Sequence, residues 1–364
     1  MKLAKHPTLR DVAREAGVSV SLVSHVLNNY PSIREETRQK VWAAREKLGY
    51  KPNLHARQLR AVGSAGAVRT RNLALVIVET EPSYPIYMPL ITAFSGELLQ
   101  RDLNPLVFTL PTELSTQREL PACLRDRTVD GFLLTGELSR STLELFDSVE
   151  LPYVVVGNEV ADSHRTLVQP DVSTATAEAM KRLFDLGHTA IGLIGEQFNS
   201  CYHQLILSAY RQALKERELE QKPEWIQSGG RHKEGGFEPM ERMLALPDRP
   251  TAILFTNIRI AANAFALARE HGLSIPDDLS LLAFSGTAEP EGHVAINRLI
   301  VDYQLLGVIA VKMLLERIAE PAQPRLTVSV PCVYREGGTC AARRETRSAE
   351  NLVQCKTTKK MVKA

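Results

Sequence analysis

The sequence predicts a small all-helical head followed by a larger α/β core whose parallel sheets form two lobes. Three observations lead there. Residues 1–50 carry three short helical patterns, two of them joined at Gly17, with no strand-like run between them. From Asn72 onward short apolar runs alternate with amphipathic stretches, which implies parallel sheet covered on both faces. The strand–helix units are also too numerous for a single sheet, so two similar lobes are expected.

Length and composition agree with this division. At 364 residues the chain exceeds one ordinary domain, and 44% hydrophobic with 24% charged residues is a soluble globular composition. No run of 18 apolar residues exists and the first residues contain no apolar secretory core, so no membrane span and a cytoplasmic location are expected. Cys123, Cys201, Cys332, Cys340 and Cys355 are scattered without CxxC or zinc spacing, which suits reduced thiols better than a disulfide framework or a metal site; no cofactor is expected. The net charge of +2 hides an asymmetry. Residues 1–60 hold twelve Lys/Arg against five Asp/Glu, and residues 341–364 hold seven against two. The middle is therefore acidic. A basic head on an acidic body is the charge pattern of a polyanion-binding module joined to a separate domain.

In the head, Thr8 can cap a helix over roughly residues 9–16, with Asp11 favouring its N-terminal dipole end. Leu9, Val12, Ala13 and Ala16 give that helix an apolar face. Gly17 can take the positive φ of a tight turn. Ser19 is a second candidate cap, opening a helix over residues 20–28 in which Val23, Val26 and Leu27 point inward. Val20, Ser21, Ser24, His25 and Asn28 lie on its other side. A third helix spans residues 35–48 and ends at Gly49; Ser32 and Arg34 are both candidates for its N-cap. Two short helices around a glycine turn, the second with small polar residues outward, form the helix-turn-helix pattern, whose second helix enters the major groove. A three-helix bundle that contacts other proteins has the same periodicity.

In the core, strands are predicted at residues 73–78, 105–109, 131–135, 153–156, 191–194, 252–255, 279–284 and 298–302. Helices are predicted at 87–101, 174–186, 204–217, 259–271 and 304–318. Breaks near residues 158–165 and 290–297 are the expected crossovers between lobes. The chain has no GxSxG, no GxGxxG after a strand, no P-loop and no HExxH, and no catalytic constellation emerges.

The stretch Thr8-Leu-Arg-Asp-Val-Ala-Arg-Glu-Ala-Gly-Val-Ser-Val-Ser-Leu-Val-Ser-His-Val-Leu-Asn28, with Glu36-Thr37-Arg38 and Leu48-Gly-Tyr-Lys-Pro-Asn53, closely resembles the lactose-repressor (LacI/GalR) family of transcription regulators. The core resembles that family's periplasmic-binding-protein-like core at Val129-Asp-Gly131, Leu186-Gly-His188, Ile194-Gly195, Thr251-Ala-Ile253, the stretch from His271 to Ser280, and Leu305-Leu-Gly307. The resemblance implies domains at 1–50 (helix-turn-helix), 51–71 (hinge helix and linker), 72–340 (effector-binding and dimerisation core) and 341–364 (basic tail). It also implies a homodimer on a double-stranded DNA operator. Val20, Ser21 and His25 would then meet base edges. Ser19, Ser24, Asn28, Thr37 and Tyr50 would touch sugar-phosphate, which fixes register rather than sequence. Family members often carry Arg where this chain has His25, a shorter side chain whose charge depends on pH. In the hinge, Asn53 would cap or contact phosphate, Ala56 would permit close approach of two hinge helices, and Leu59 would wedge into the minor groove. An ordinary linker helix remains the alternative for this segment. His188, in its turn, is expected to pack rather than to react.

The resemblance fails in the cleft. Family members that bind sugars carry an Arg where this chain has Ile206, an Asp where it has Ile258, and two Asp where Ser285 and Gly286 stand. Such Arg and Asp side chains hold sugar hydroxyls by paired, charge-assisted hydrogen bonds, so sugar binding is not carried over. Two readings stay open. In one, a different small-molecule effector meets Tyr84, Tyr87, Asn158 and Asp171 together with Asn199, Gln204, Asn257 and Ser285. In the other, the core has stopped sensing and only dimerises. The tail has no leucine heptads, so a dimer rather than a tetramer is expected; it either adds nonspecific DNA affinity or is merely a solvated end.

Overall fold

The computed structural model describes residues 7–27, 33–50, 70–79, 87–157, 164–196, 198, 200–229, 236–286 and 295–343. It divides into two compact units, Met1–Thr70 and Arg71–Ala364, each described by itself.

The first unit holds α1 (Leu9–Ala16), α2 (Val20–Leu27) and α3 (Glu35–Leu48). Thr8 opens α1: its backbone N–H and its hydroxyl both donate to the Asp11 carboxylate, at 2.8 and 2.7 Å. Gly17, at φ +63°, closes α1 in the left-handed conformation, and its neighbour Val18 donates back to the Ala13 carbonyl. The Ser19 hydroxyl accepts from the Leu22 N–H at 3.2 Å and starts α2. Arg34, with extended backbone and no side-chain bond to the helix end, is the N-cap of α3, and Gly49 at φ +61° ends it. Val12, Val23, Val26 and Val41 are fully buried and, with Ala13, Ala44 and Tyr50, form the core of this unit. The i, i+3 spacing of Val23 and Val26 is what turns the rest of α2 outward.

The second unit contains two six-stranded sheets. The first runs β11–β5–β4–β3–β1–β2, made from β1 (Asn72–Val78), β2 (Asn104–Leu110), β3 (Gly131–Gly136), β4 (Tyr153–Val156), β5 (Leu167–Asp171) and β11 (Thr327–Pro331). The second runs β12–β10–β9–β8–β6–β7, from β6 (Ile191–Gly195), β7 (Ile226–Ser228), β8 (Ala252–Phe255), β9 (Ser280–Ser285), β10 (Asn297–Ile300) and β12 (Val333–Arg335). All neighbours are parallel except β10 and β12. The central strands β1, β3, β6, β8 and β9 are apolar and buried nearly end to end, as parallel strands covered on both faces must be.

The helices of this unit are α4 (Tyr87–Leu99), α5 (Ala122–Arg125), α6 (Arg140–Asp147), α7 (Val172–Asp185), α8 (Cys201–Glu216), α9 (Phe237–Leu244), α10 (Ile258–Glu270) and α11 (Tyr303–Ala319). In the first lobe α11 packs on α4 at Gly307, where an added Cβ would stand 2.8 Å from the Ala93 Cβ. In the second, α7 packs on α8. No described helix is long and apolar enough to cross a membrane.

The crossovers differ from the sequence expectation. The breaks at 158–165 and 290–297 each lie between strands of one sheet: β4 and β5 pair in the first, β9 and β10 in the second. The chain changes sheet instead at Asp171, where β5 runs straight into α7, at Val301–Tyr303, where β10 leads into α11, and at Cys332 between β11 and β12. A break in hydrophobic period marks a loop, and does not say which sheet the next strand joins.

Candidate nucleic-acid interface and effector cleft

On α2 the side chains of Val20, Ser21 and His25 are exposed, Ser24 is half-buried and Ser19 is exposed at the cap. The short hydroxyls of Ser21 and Ser24 can donate or accept, and Val20 offers an apolar surface of the kind a thymine methyl meets. Thr37 is half-buried near the start of α3. Tyr50 is a core residue, 7% exposed, so a phosphate contact there is limited to its rim. Asn28, Asn53, Ala56 and Leu59 lie outside the described residues.

Ligands of open α/β sheets bind at the C-terminal ends of the parallel strands, and the candidate cleft is read at those ends of β1, β5, β6, β8 and β9. Of the residues proposed for it from sequence, Tyr87 is buried and its hydroxyl donates to the Glu79 carboxylate at 3.1 Å. Asn257 has two tasks: its side-chain oxygen accepts from the Arg259 N–H and so caps α10, and its amide donates to Glu196 Oε1 at 3.0 Å. Asp171 caps α7 by accepting from the Thr174 N–H at 3.1 Å. Gln204 is exposed, with its amide on the Phe198 carbonyl, and Ser285 is buried at the end of β9. Tyr84, Asn158 and Asn199 lie outside the described residues.

Sequence reasoning passed over several cleft groups. Glu79 and Glu196 each stand immediately after a buried strand, β1 and β6, and both are buried. A charged residue directly after a fully apolar strand is the signal that could have found them. Burial raises the carboxyl pKa of Glu196; the Asn257 hydrogen bond and Arg259 oppose the rise, and the charge of Glu79 adds to it. His203 is buried on the first turn of α8, 2.7 Å from the Ser200 hydroxyl, and burial alone lowers its pKa to about 4, so it is neutral. Tyr202 stands edge-on to Phe284 at 6.3 Å and to His203 at 5.2 Å, while the Tyr303 ring reaches Gly157 at the end of β4. Desolvation keeps the Tyr202 and Tyr303 hydroxyls protonated and raises the Cys332 thiol to about 12. Ile206 and Ile258 are buried among apolar neighbours, so neither position offers a charge to a sugar. Outside the cleft, His188 bonds the Thr251 hydroxyl at 2.9 Å and the Ala341 carbonyl at 3.0 Å, the packing role expected of it.

Comparison with known proteins agrees with both halves. Residues 8–53 match the family model of bacterial regulatory proteins of the lacI family, and residues 180–340 match a periplasmic binding protein-like domain. The chain is 30% identical over 314 residues to the HTH-type transcriptional repressor PurR of Actinobacillus pleuropneumoniae serotype 3, covering 85% of this chain and 91% of the relative. It is 28% identical over 333 residues to the ribose operon repressor of Haemophilus influenzae, covering 90% and 98%. Among solved structures, the lac repressor dimer bound to operator and the anti-inducer ONPF superposes with a TM-score of 0.78 at 22% identity, covering 93% of this chain and all of that one. The cellobiose complex of the regulator CelR superposes at 0.68 with 23% identity, covering 92% and 99%. The chain belongs to the lacI family of bacterial regulatory proteins, as a DNA-binding transcription regulator with a periplasmic-binding-protein-like core.

Proposed function

We propose that this protein is a non-enzymatic cytoplasmic repressor that binds a pseudo-palindromic operator as a homodimer and responds to a small molecule in the cleft. Val20, Ser21 and His25 read base edges. Ser19, Ser24, Asn28, Thr37, Tyr50 and Asn53 hold the sugar-phosphate, and Ala56 and Leu59 bring the paired hinges into the minor groove. The observation that carries the reading is α2 itself: capped by Ser19, pinned by buried Val23 and Val26, and presenting Val20, Ser21 and His25 to solvent on the opposite side. The basic head supplies the charge that a phosphate backbone requires, and the family's repressors and operator complex supply the precedent.

The test is selection by the full-length protein from randomised duplexes, followed by binding measured against salt. The expected outcome is a two-fold symmetric consensus with half-sites about one helical turn (~34 Å) apart. Each phosphate contact should add about −0.9 to the log–log salt slope. A consensus without symmetry, or affinity indifferent to salt, overturns the reading. Effector control follows if a ligand binds the lobes differently in their two arrangements, because only differential affinity shifts such an equilibrium.

A further inference from the structure

Three guanidiniums gather at the start of β5, at the end of the first sheet opposite the one read as the cleft. Arg165 is matched: it pairs with the Asp147 carboxylate, and its Nε also donates to the Tyr153 hydroxyl at 2.8 Å. Arg317, near the end of α11, donates from Nη1 to the Thr166 hydroxyl at 3.0 Å. Arg325, two residues before β11, donates from Nη1 to the His164 carbonyl. His164 and Thr166 are two residues apart, so the backbone between the two anchors spans at most about 7 Å. The anchoring segment is itself fixed. Thr166 is buried, its carbonyl accepts from the Val155 N–H at 3.0 Å, and the next residue, Leu167, donates to the Leu326 carbonyl at 2.9 Å.

Neither Arg317 nor Arg325 pairs with a carboxylate among the described residues; both are held by neutral oxygens. Glu320, one turn beyond Arg317, has its carboxylate on the Gln323 amide at 2.9 Å instead. A second, independent feature is the Arg317 Nε, which is buried and has no hydrogen-bond partner. A donor taken out of water without an acceptor is destabilising. Burial, and then the charge of Arg325, lower the Arg317 pKa, as expected of two cations with no anion between them.

We propose that Arg317 and Arg325 form a phosphate-binding site on the first lobe, separate from the cleft. A phosphate group carries several acceptor oxygens around its charge, so it takes donors from two guanidinium forks at once, whereas one fork satisfies a carboxylate. Its arrival gives the Arg317 guanidinium an acceptor and offsets the repulsion between the two cations. The site goes beyond the operator and effector reading and depends on neither. Its phosphate has two sources, a small phosphorylated molecule or the backbone of bound DNA, and the same donors serve both.

The test uses the full-length protein in phosphate-free buffer. Thermal shift and calorimetric titration are run with inorganic phosphate and ribose 5-phosphate, and with D-ribose and sodium chloride at matched ionic strength as controls. A second arm measures the salt slope of operator binding for the protein and for the variant carrying both Arg317→Gln and Arg325→Gln. If a small molecule is the source, at least one phosphate probe raises the melting temperature more than chloride does, and each single substitution weakens that probe tenfold or more. If DNA is the source, the double variant loses about 0.9 from the slope per phosphate contact while the consensus stays the same. Either pattern, or both together, supports the site. Arg325 is exposed, so Arg325→Gln spares the fold, and the melting temperature of each unliganded variant reports whether it does. Phosphate no better than chloride with an unchanged slope, or probe affinity and slope that both survive the substitutions, overturns the site and leaves operator selection standing. Should the protein select no duplex, the proposed function fails and the small probes alone decide the site.

Discussion

On α2 the groups that would meet a partner are short and solvated: Val20, Ser21 and His25 are exposed while two buried valines hold the helix down. At the cleft the corresponding groups are already out of water. Glu79, Glu196, Thr256 and His203 are each more than nine-tenths buried, and three of the four are bonded to side chains from their surroundings. A helix face that stays hydrated until DNA arrives has little bearing on folding, so its side chains can be exchanged at small cost in stability. Groups desolvated in the folded chain contribute to stability and to binding at once. Substitutions on the two sites should therefore separate: those on the outer face of α2 change which DNA is bound, and those in the cleft change melting behaviour as well.

The largest expected effect comes from breaking the scaffold under α2. Val26→Asp would bury an unpaired charge in a core made of only a few side chains, at a cost expected to exceed about 4 kcal/mol. The head should unfold and operator binding vanish, while the melting transition of the core stays in place. Retention of operator binding would contradict the inward placement of Val26.

A smaller effect comes from the neutral imidazole of the cleft. The His203 pKa falls from 6.5 to about 4 on folding, because burial penalises its charged form. The unfolded chain thus takes up a proton at a higher pH than the folded one does. The contribution is fully present above pH 6.5, declines as pH falls toward 4, and changes no further below that. A shift of this size corresponds to about 3 kcal/mol. Melting of the core between pH 7 and 4 should show the decline, and His203→Gln should flatten it. His188, whose pKa burial also lowers, contributes in the same direction, so the measured quantity is the difference between the two proteins. An identical pH profile in the variant would remove His203 from this role.

Leu59→Ala sharpens the contrast from the DNA side. If Leu59 unstacks a base step in the minor groove, its truncation should lower operator preference by about 2 kcal/mol and leave weak, salt-sensitive binding intact. The melting temperature of the core should not move. Unchanged preference between operator and random duplex would remove the wedge.

How much of this was legible in the sequence follows from the same contrast. The head was, because short helices with clear caps and glycine ends leave little freedom: Thr8, Gly17, Ser19 and Gly49 each sit where the structure uses them. Buried strands such as β1 and β6 were legible as unbroken apolar runs. β5 was not, since Leu167-Val-Gln-Pro-Asp reads as a turn. Pro170 is tolerated because β4 pairs only with Leu167 and Val168, leaving Pro170 opposite β11 alone. β11 and β12 were missed because they are edge strands and largely exposed. The crossover at Asp171 has no glycine or proline after it to mark it, since α7 starts on the next residue. The cleft was the least legible part. Glu79, Glu196 and Thr256 stand directly after β1, β6 and β8, and Tyr303 opens the helix after β10, positions that no local period of the sequence relates.

The smallest expected effect tests whether the outer face of the head is as dispensable to folding as the comparison holds. Thr8 is exposed and lies one turn before the residues of α1 that reach the core, yet its N–H and hydroxyl both close on Asp11. Thr8→Ala removes the hydroxyl bond and keeps the backbone one, so it should cost about 1 kcal/mol of head stability, at the middle of the range for N-caps. The core transition should be unaffected, and operator affinity at temperatures well below melting should change less than twofold. A loss of affinity larger than the stability change would show that Thr8, or the α1 terminus it holds, belongs to the DNA-contacting surface. The division between scaffold and reading face would then run through α1 instead of between α1 and α2.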